Sequence, residues 1–218
     1  MRTVFLDLDG TLTDAGPGII NSVNFALEKM KLPSLKGDPS WLVGPPLWDS
    51  FETLGVHKQD LDKAVSFYRE RYTAIGWSEN SLYTGILDQL SLLKGAGYRL
   101  CLATSKAHTY ARKITQHFGI AEYLSHEFGS ELDGTHADKT SLLEHGLKMT
   151  HAISKDSVMV GDRHYDVVGA KANGMRTLGA AYGYGGASEL MEAGVDKIIF
   201  EPSDLAEAVF QMLPFEEQ

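Results

Sequence analysis

Residues 4–14 read VFLDLDGTLTD, an apolar run that ends in two aspartates one residue apart, followed by glycine, threonine and a third aspartate. An apolar, β-branched start predicts a buried strand. Carboxylates at its mouth are costly, because burying even one takes several kcal/mol unless it is paired or bound to a cation. The stretch therefore calls for a cation, and the rest of the chain must show what it serves.

The rest of the chain has the matching rhythm. After TVFLDL at 3–8, helix-period ILDQLSLLKGAG carries Ile86, Leu87, Leu90 and Leu93 on one side. YRLCLATS then reads as a strand, HTYARKITQHFG as a helix closed by Gly119, and SLLEHGLKM as a helix. SVMVGD, MRTLGAAYG and DKIIF read as strands. VVGAKANG, ELMEAG and SDLAEAVFQML read as helices, the last with Ser203 or Asp204 as its N-cap. Strands alternating with helices imply right-handed βαβ units: an α/β, Rossmann-like parallel sheet with helices on both faces.

Residues 15–82 break that alternation. GIINSVNFALEKM sets Ile20, Val23, Leu27 and Met30 on one face, and LDKAVSFYRERYTAIG sets Leu61, Val65, Tyr68 and Tyr72 on another. Between them lies KLPSLKGDPSWLVGPPLWDSF, rich in proline and glycine. The expected organisation is a core of residues 1–14 and 83–218 with a small α-helical cap, 15–82, inserted after the first strand. It leaves and returns beside the Asp7 strand end, so it can close over that end as a lid, with Asp14 as the hinge. GPPLW at 44–48 reads either as an interhelix turn or as a cap loop that touches substrate. Trp41 and Trp48 read as cap core.

Composition narrows the partners. The 218 residues are 43% hydrophobic and 22% charged, ordinary for a globular protein, and the formal net charge is −9. An acidic chain lacks the basic face on which nonspecific nucleic-acid binding depends. The single cysteine, Cys101, lies in the apolar run LCLAT and reads as a buried structural thiol. No signal-like N-terminus and no run of about 20 apolar residues is seen, so no membrane contact and a cytoplasmic location are expected. Oligomeric state is not legible.

The chemistry converges at the strand ends. Asp7 and Asp9 share a face of an extended strand, and Gly10 permits the turn after them. One carboxylate can act as nucleophile while its neighbour moves a proton. GDRHYD at 161–166 adds Asp162 and, one turn into a helix, Asp166. Together these carboxylates make a hard-oxygen cage suited to Mg²⁺. Thr104 and Ser105, at the end of LATSK, offer hydroxyls and amides for phosphate oxygens at a helix N-terminus. Lys139, in THADKTSLL, is the first candidate for the cation that offsets the crowded charge, with Lys106 second. His164 reads as solvent-exposed.

DLDGT at 7–11, the Thr104 strand end, Lys139 and GDRHYD at 161–166 resemble, in order, the four motifs of the haloacid dehalogenase-like hydrolase superfamily. The detailed resemblance is to phosphoglycolate phosphatase-like proteins, carried by FLDLDGTLTDAGPGIINSVNFAL, GPPLWDSF, ATSK, VMVGDRHYDVVGAKANGM and the YGYGG loop at 182–186. The resemblance implies Asp7 as the phosphorylated nucleophile and Asp9 as general acid/base and, through its backbone carbonyl, a Mg²⁺ ligand. It implies Asp162 as a further Mg²⁺ ligand beside Asp7, Asp166 as a support that orients Lys139, and Thr104, Ser105, Lys139 and Gly10 as phosphate contacts. It implies too that YGYGG rims the site. Lys139 departs from the common pattern, standing in ADKT rather than GKP. The expected activity is hydrolysis of a small phosphomonoester. The alternatives are a 5′-nucleotidase, a sugar phosphomutase and a noncatalytic binding protein on the same fold.

Overall fold

The computed structural model describes residues 1–215. Its centre is a six-stranded, all-parallel sheet built from β1 (Thr3–Leu6), β4 (Arg99–Ala107), β5 (His126–Ser130), β6 (Ser157–Gly161), β7 (Arg176–Ala180) and β8 (Lys197–Ile199), in the order β5-β4-β1-β6-β7-β8. The strand that carries Asp7 is thus flanked by those that carry Thr104 and Asp162. A second, two-stranded antiparallel sheet pairs β2 (Thr13–Asp14) with β3 (Ser81–Leu82).

Alternation along β1 divides the core. Val4 and Leu6 point into one apolar layer, with α4 (Ile86–Gly95), α5 (His108–His117) and α9 (Leu205–Met212). Phe5 points into the other, with α6 (Lys139–Thr150) and α7 (His164–Ala172). The short α8 (Gly186–Glu192) packs beside β7 and α7. Cys101 is fully buried in the second layer, and burial pushes its thiol up to about 12, as expected of an inert structural cysteine. No helix among the described residues is long and apolar enough to cross a membrane.

Residues between β2 and β3 form α1 (Gly16–Lys29), α2 (Leu47–Thr53) and α3 (Leu61–Ala74). They build an apolar cluster of their own around Val23, Leu27, Phe51, Val65, Tyr68 and Tyr72. The β2–β3 pair ties the departing and returning strands together, so the helices stand on a short two-strand stem.

Two sequence expectations are corrected here, one strand went unread, and the N-cap reading of α9 holds in position. HEFGS at 126–130 is a strand, which its polar residues concealed. The buried face of α1 is centred on Ile19 rather than Ile20, with Ala26 added and Met30 only partly buried. β4 continues past Thr104 to Ala107, so Thr104 and Ser105 lie on irregular strand and α5 begins only at His108. Asp204 holds the N-cap position of α9 without a capping hydrogen bond from its side chain.

Candidate active site

The carboxyl ends of β1, β4 and β6 bring together what the sequence keeps as much as 159 residues apart. Asp7 and Asp9 follow β1, Thr104, Ser105 and Lys106 end β4, and Asp162 follows β6. Lys139 opens α6 and Asp166 sits in the first turn of α7. Asp7, Asp9, Asp162, Asp166 and Lys139 are all buried.

Two buried lysines serve the carboxylates separately. Lys139 Nζ lies 2.7 Å from Asp166 Oδ1 and 3.1 Å from Asp7 Oδ1, and it donates to the Ala103 carbonyl at 2.9 Å. Lys106 Nζ lies 2.5 Å from Asp9 Oδ2 and stands over the Tyr72 ring, 4.9 Å from its centre. The ranking of Lys139 over Lys106 therefore gives way to a division: one lysine for Asp7, one for Asp9. Burial alone would lower both ammonium groups. The facing carboxylates, Asp166 and Asp7 for Lys139 and Asp9 for Lys106, more than reverse it.

Asp7, Asp162 and Asp166 each offer an oxygen within 4.8 Å of the others, close enough to share one cation. The Asp9 carboxylate is turned instead toward Lys106. Burial raises Asp162 well above the usual carboxylate range, the charges of Asp166 and Asp7 adding to it, and burial holds Asp166 up to about 6. Asp162 receives Thr11 Oγ1 at 3.3 Å and the Tyr184 amide at 2.8 Å, while the Arg163 amide donates to Asp166 at 3.1 Å. Four carboxyl groups gather against two ammonium groups, an acidic excess that a bound cation would offset. Asp9 Oδ1 also has no hydrogen-bond partner among the described residues. The donor set is all oxygen, so the residues present fit a hard divalent ion.

Gly10 has φ of +84°, and a Cβ there would fall 2.2 Å from Asp162 Oδ2. A side chain at this position would displace the Asp162 carboxylate. The Gly10 amide donates to the Thr13 carbonyl at 2.7 Å, so that N–H serves the turn. Thr104 is buried, and its hydroxyl oxygen accepts the Lys106 amide at 3.3 Å. The Ser105 carbonyl accepts from Ser130 Oγ at 2.8 Å.

A cavity of about 90 Å³ opens on this cluster. Asp7, Asp9, Thr104 and Lys106 line its floor, and Trp48 and Tyr72 from the helices line its roof. Residues 44–48, the last two already in α2, contribute to the wall. Trp41 and Trp48 pack against the helical cluster, as expected of cap core, but Trp48 also faces the cavity. The YGYGG loop reaches the site through the Tyr184 amide.

Sequence reasoning missed Arg163 and Glu189, and placed Tyr184 only as part of the YGYGG loop. Arg163 sends its guanidinium across to the Val43 carbonyl, tying the strand end beside Asp162 to the loop that leads into Gly44–Trp48. Glu189 holds Arg163 at 2.9 Å and His164 Nδ1 at 2.7 Å, so His164 is half-buried and paired rather than free in solvent. Tyr184 donates its hydroxyl to Asp14 and accepts from the Gly16 amide at 2.7 Å. A cation inside GDRHYD was the available signal for Arg163, and the YGYGG motif for Tyr184; Glu189 offered none.

Residues 4–180 match the family described as haloacid dehalogenase-like hydrolase. Tyrosine-protein kinase PtkA of Mycobacterium tuberculosis is 41% identical over 187 residues, 85% of this chain but 64% of its own length. The chain thus spans just under two thirds of that relative. A 5′-nucleotidase of Pseudomonas aeruginosa is 40% identical over 190 residues, 86% of each chain. Phosphoglycolate phosphatase 1 of the same organism is 27% identical over 213 residues, 94% of this chain and 78% of its own. The crystal structure of a predicted phosphatase from Clostridium acetobutylicum superposes with a TM-score of 0.92 at 36% identity, covering 96% of this chain and 98% of that one.

Proposed function

Because the chain belongs to the haloacid dehalogenase-like hydrolase family, we propose that it is a Mg²⁺-dependent phosphatase of small phosphomonoesters, similar to phosphoglycolate phosphatases. The observation that carries this reading is the pairing of two neighbouring carboxylates with separate lysines, Asp7 with Lys139 and Asp9 with Lys106. Such an arrangement lets two aspartates two residues apart do different work.

In this reading Asp7 attacks phosphorus in line, forming an Asp7–phosphoryl bond as the bond to the leaving oxygen breaks, and Asp9 gives that oxygen a proton. Asp9 then takes a proton from water, whose oxygen attacks phosphorus and frees Asp7 and inorganic phosphate. Burial raises the Asp9 carboxyl, which favours its acid role, and Lys106 pulls it back toward the carboxylate needed for the second step. Thr104, whose oxygen already accepts the Lys106 amide, has its hydroxyl proton free for a phosphoryl oxygen, and Ser105 stands beside it. Lys139 offsets phosphoryl charge, with Asp166 orienting it.

Asp7, Asp162 and the Asp9 backbone carbonyl, with Asp166 beside them, would hold a magnesium ion, which when bound neutralises phosphoryl charge. Residues 15–82 act as the cap on a core of 1–14 and 83–218, with a cytoplasmic location. A 5′-nucleotidase is the second reading, favoured by the 40%-identical relative of that name. A Mg²⁺-dependent phosphate-release screen of phosphoglycolate, nucleoside monophosphates and sugar phosphates, ranked by kcat/KM, tests both. Absence of phosphate release from every ester would refute the phosphatase reading.

A further inference from the structure

The roof of the cavity is divided. Trp48 on α2 and Arg69 on α3 line the 90 Å³ reaction cavity, and the same two side chains line a more open outer groove of about 490 Å³, with Asp62, Ser66, Leu132 and Asp133. They stand between the two spaces. Their posture is held on three sides: Trp48 Nε1 donates to Asp62 at 2.9 Å, the Arg69 guanidinium lies 5.3 Å from the Trp48 ring centre, and Arg69 Nη2 donates to the Leu132 carbonyl at 2.6 Å. The last bond runs from the helical insertion to the loop after β5, so it closes the partition across the cleft.

The inner cavity, at about 90 Å³, is smaller than the roughly 150 Å³ cavity that takes up one benzene ring, so a phosphoryl group occupies most of it. What remains suits an alcohol of a few carbons, whereas a nucleoside would have to extend past Trp48 and Arg69 into the groove. The groove carries Asp62 and Asp133, so it favours a neutral extension over a further phosphate.

We propose that Trp48 and Arg69 form a size gate on the leaving group: with Arg69 bonded to the Leu132 carbonyl, the site admits phosphomonoesters of short aliphatic alcohols and excludes nucleoside monophosphates. This rests on the phosphatase reading for its substrate and on the two shared side chains for its selectivity. Arg69 and Trp48 are specificity-determining residues in this account, touching the leaving group rather than the phosphoryl.

The test measures binding apart from turnover. In an Asp7→Asn background, calorimetry follows phosphoglycolate and adenosine monophosphate with Mg²⁺ present. With the gate intact, the nucleotide binds about 10-fold or more weakly; Arg69→Ala and Trp48→Ala each narrow that ratio by about 10-fold. Arg69→Lys, which keeps a donor for Leu132, preserves the ratio and guards against a variant that fails to fold. Equal affinities with the gate intact, an unchanged ratio in both folded alanine variants, or no binding of the small ester would each overturn the gate. The same pairs are assayed for hydrolysis with Asp7 restored. Absence of hydrolysis alongside the expected binding ratios would refute the phosphatase reading alone and leave the gate standing.

Discussion

Lys106 Nζ lies 2.5 Å from Asp9 Oδ2, and both side chains are buried beneath Tyr72. That ion pair sets the working range of the residue proposed to move protons. Burial raises Asp9 and Lys106 counters it, so Lys106→Met removes the counterweight. The limb of the pH–rate profile governed by Asp9 then moves to higher pH, and kcat at neutral pH falls about 10- to 100-fold. A full pH profile of both proteins checks it; an unmoved limb would show that Lys106 does not tune Asp9.

Asp7→Asn leaves shape and burial in place but offers phosphorus no competent nucleophile. Turnover is expected to fall about 10⁴-fold or more, with far-UV circular dichroism unchanged and Tm within a few degrees. Phosphate release at near wild-type rate from the purified variant would end the assignment.

The acidic cluster makes a prediction about stability. Asp166 is held up to about 6, and Asp9 and Asp162 are also raised. Folded carboxylates with raised pKa bind more protons than the unfolded chain does, so these groups stabilise the fold at low pH and cost stability as pH rises through the folded pKa. For Asp166 alone the difference is about 3 kcal/mol, lost between about pH 4 and 6. Metal-free protein in chelator is thus expected to show a higher Tm near pH 5 than near pH 7. Added Mg²⁺ should flatten or invert that trend, and Asp162→Asn should abolish the Mg²⁺ effect. Differential scanning calorimetry across pH, with and without the ion, reads all three outcomes.

Arg163 predicts a split between binding and chemistry. Its guanidinium holds the Val43 carbonyl and touches none of the reacting groups. A hydrogen bond from a charged donor is worth about 1.5 kcal/mol, or about tenfold in affinity. Arg163→Met is expected to raise KM by about that factor while kcat changes less. A fall confined to kcat would show instead that Arg163 acts through neighbouring Asp162.

What the chain disclosed before folding followed from local chemistry. Apolar runs alternating with helical periods carried the parallel sheet, and the aspartates at its strand ends were legible because buried carboxylates need partners. HEFGS was not legible, since His126 is exposed and Glu127 half-buried on an edge strand that lacks the apolar signature of β1 or β6. Lys106 could be ranked but not paired, because Asp9 lies 97 residues away and only the β1–β4 register brings them opposite. Tyr184 and Glu189 act through contacts whose partners no spacing rule anticipates.

Tyr184, like the Arg163–Val43 contact, ties the carboxylate cluster to the helical insertion. Its amide holds Asp162 of the carboxylate cluster, while its hydroxyl is shared by Asp14 and the Gly16 amide at the root of the helical insertion. Such a bridge makes ion affinity and the posture of the helices thermodynamically reciprocal: by whatever factor one posture favours a cation at Asp162, the cation favours that posture equally. Ion concentration would then act on the helices as an effector, with Tyr184 as one of the links.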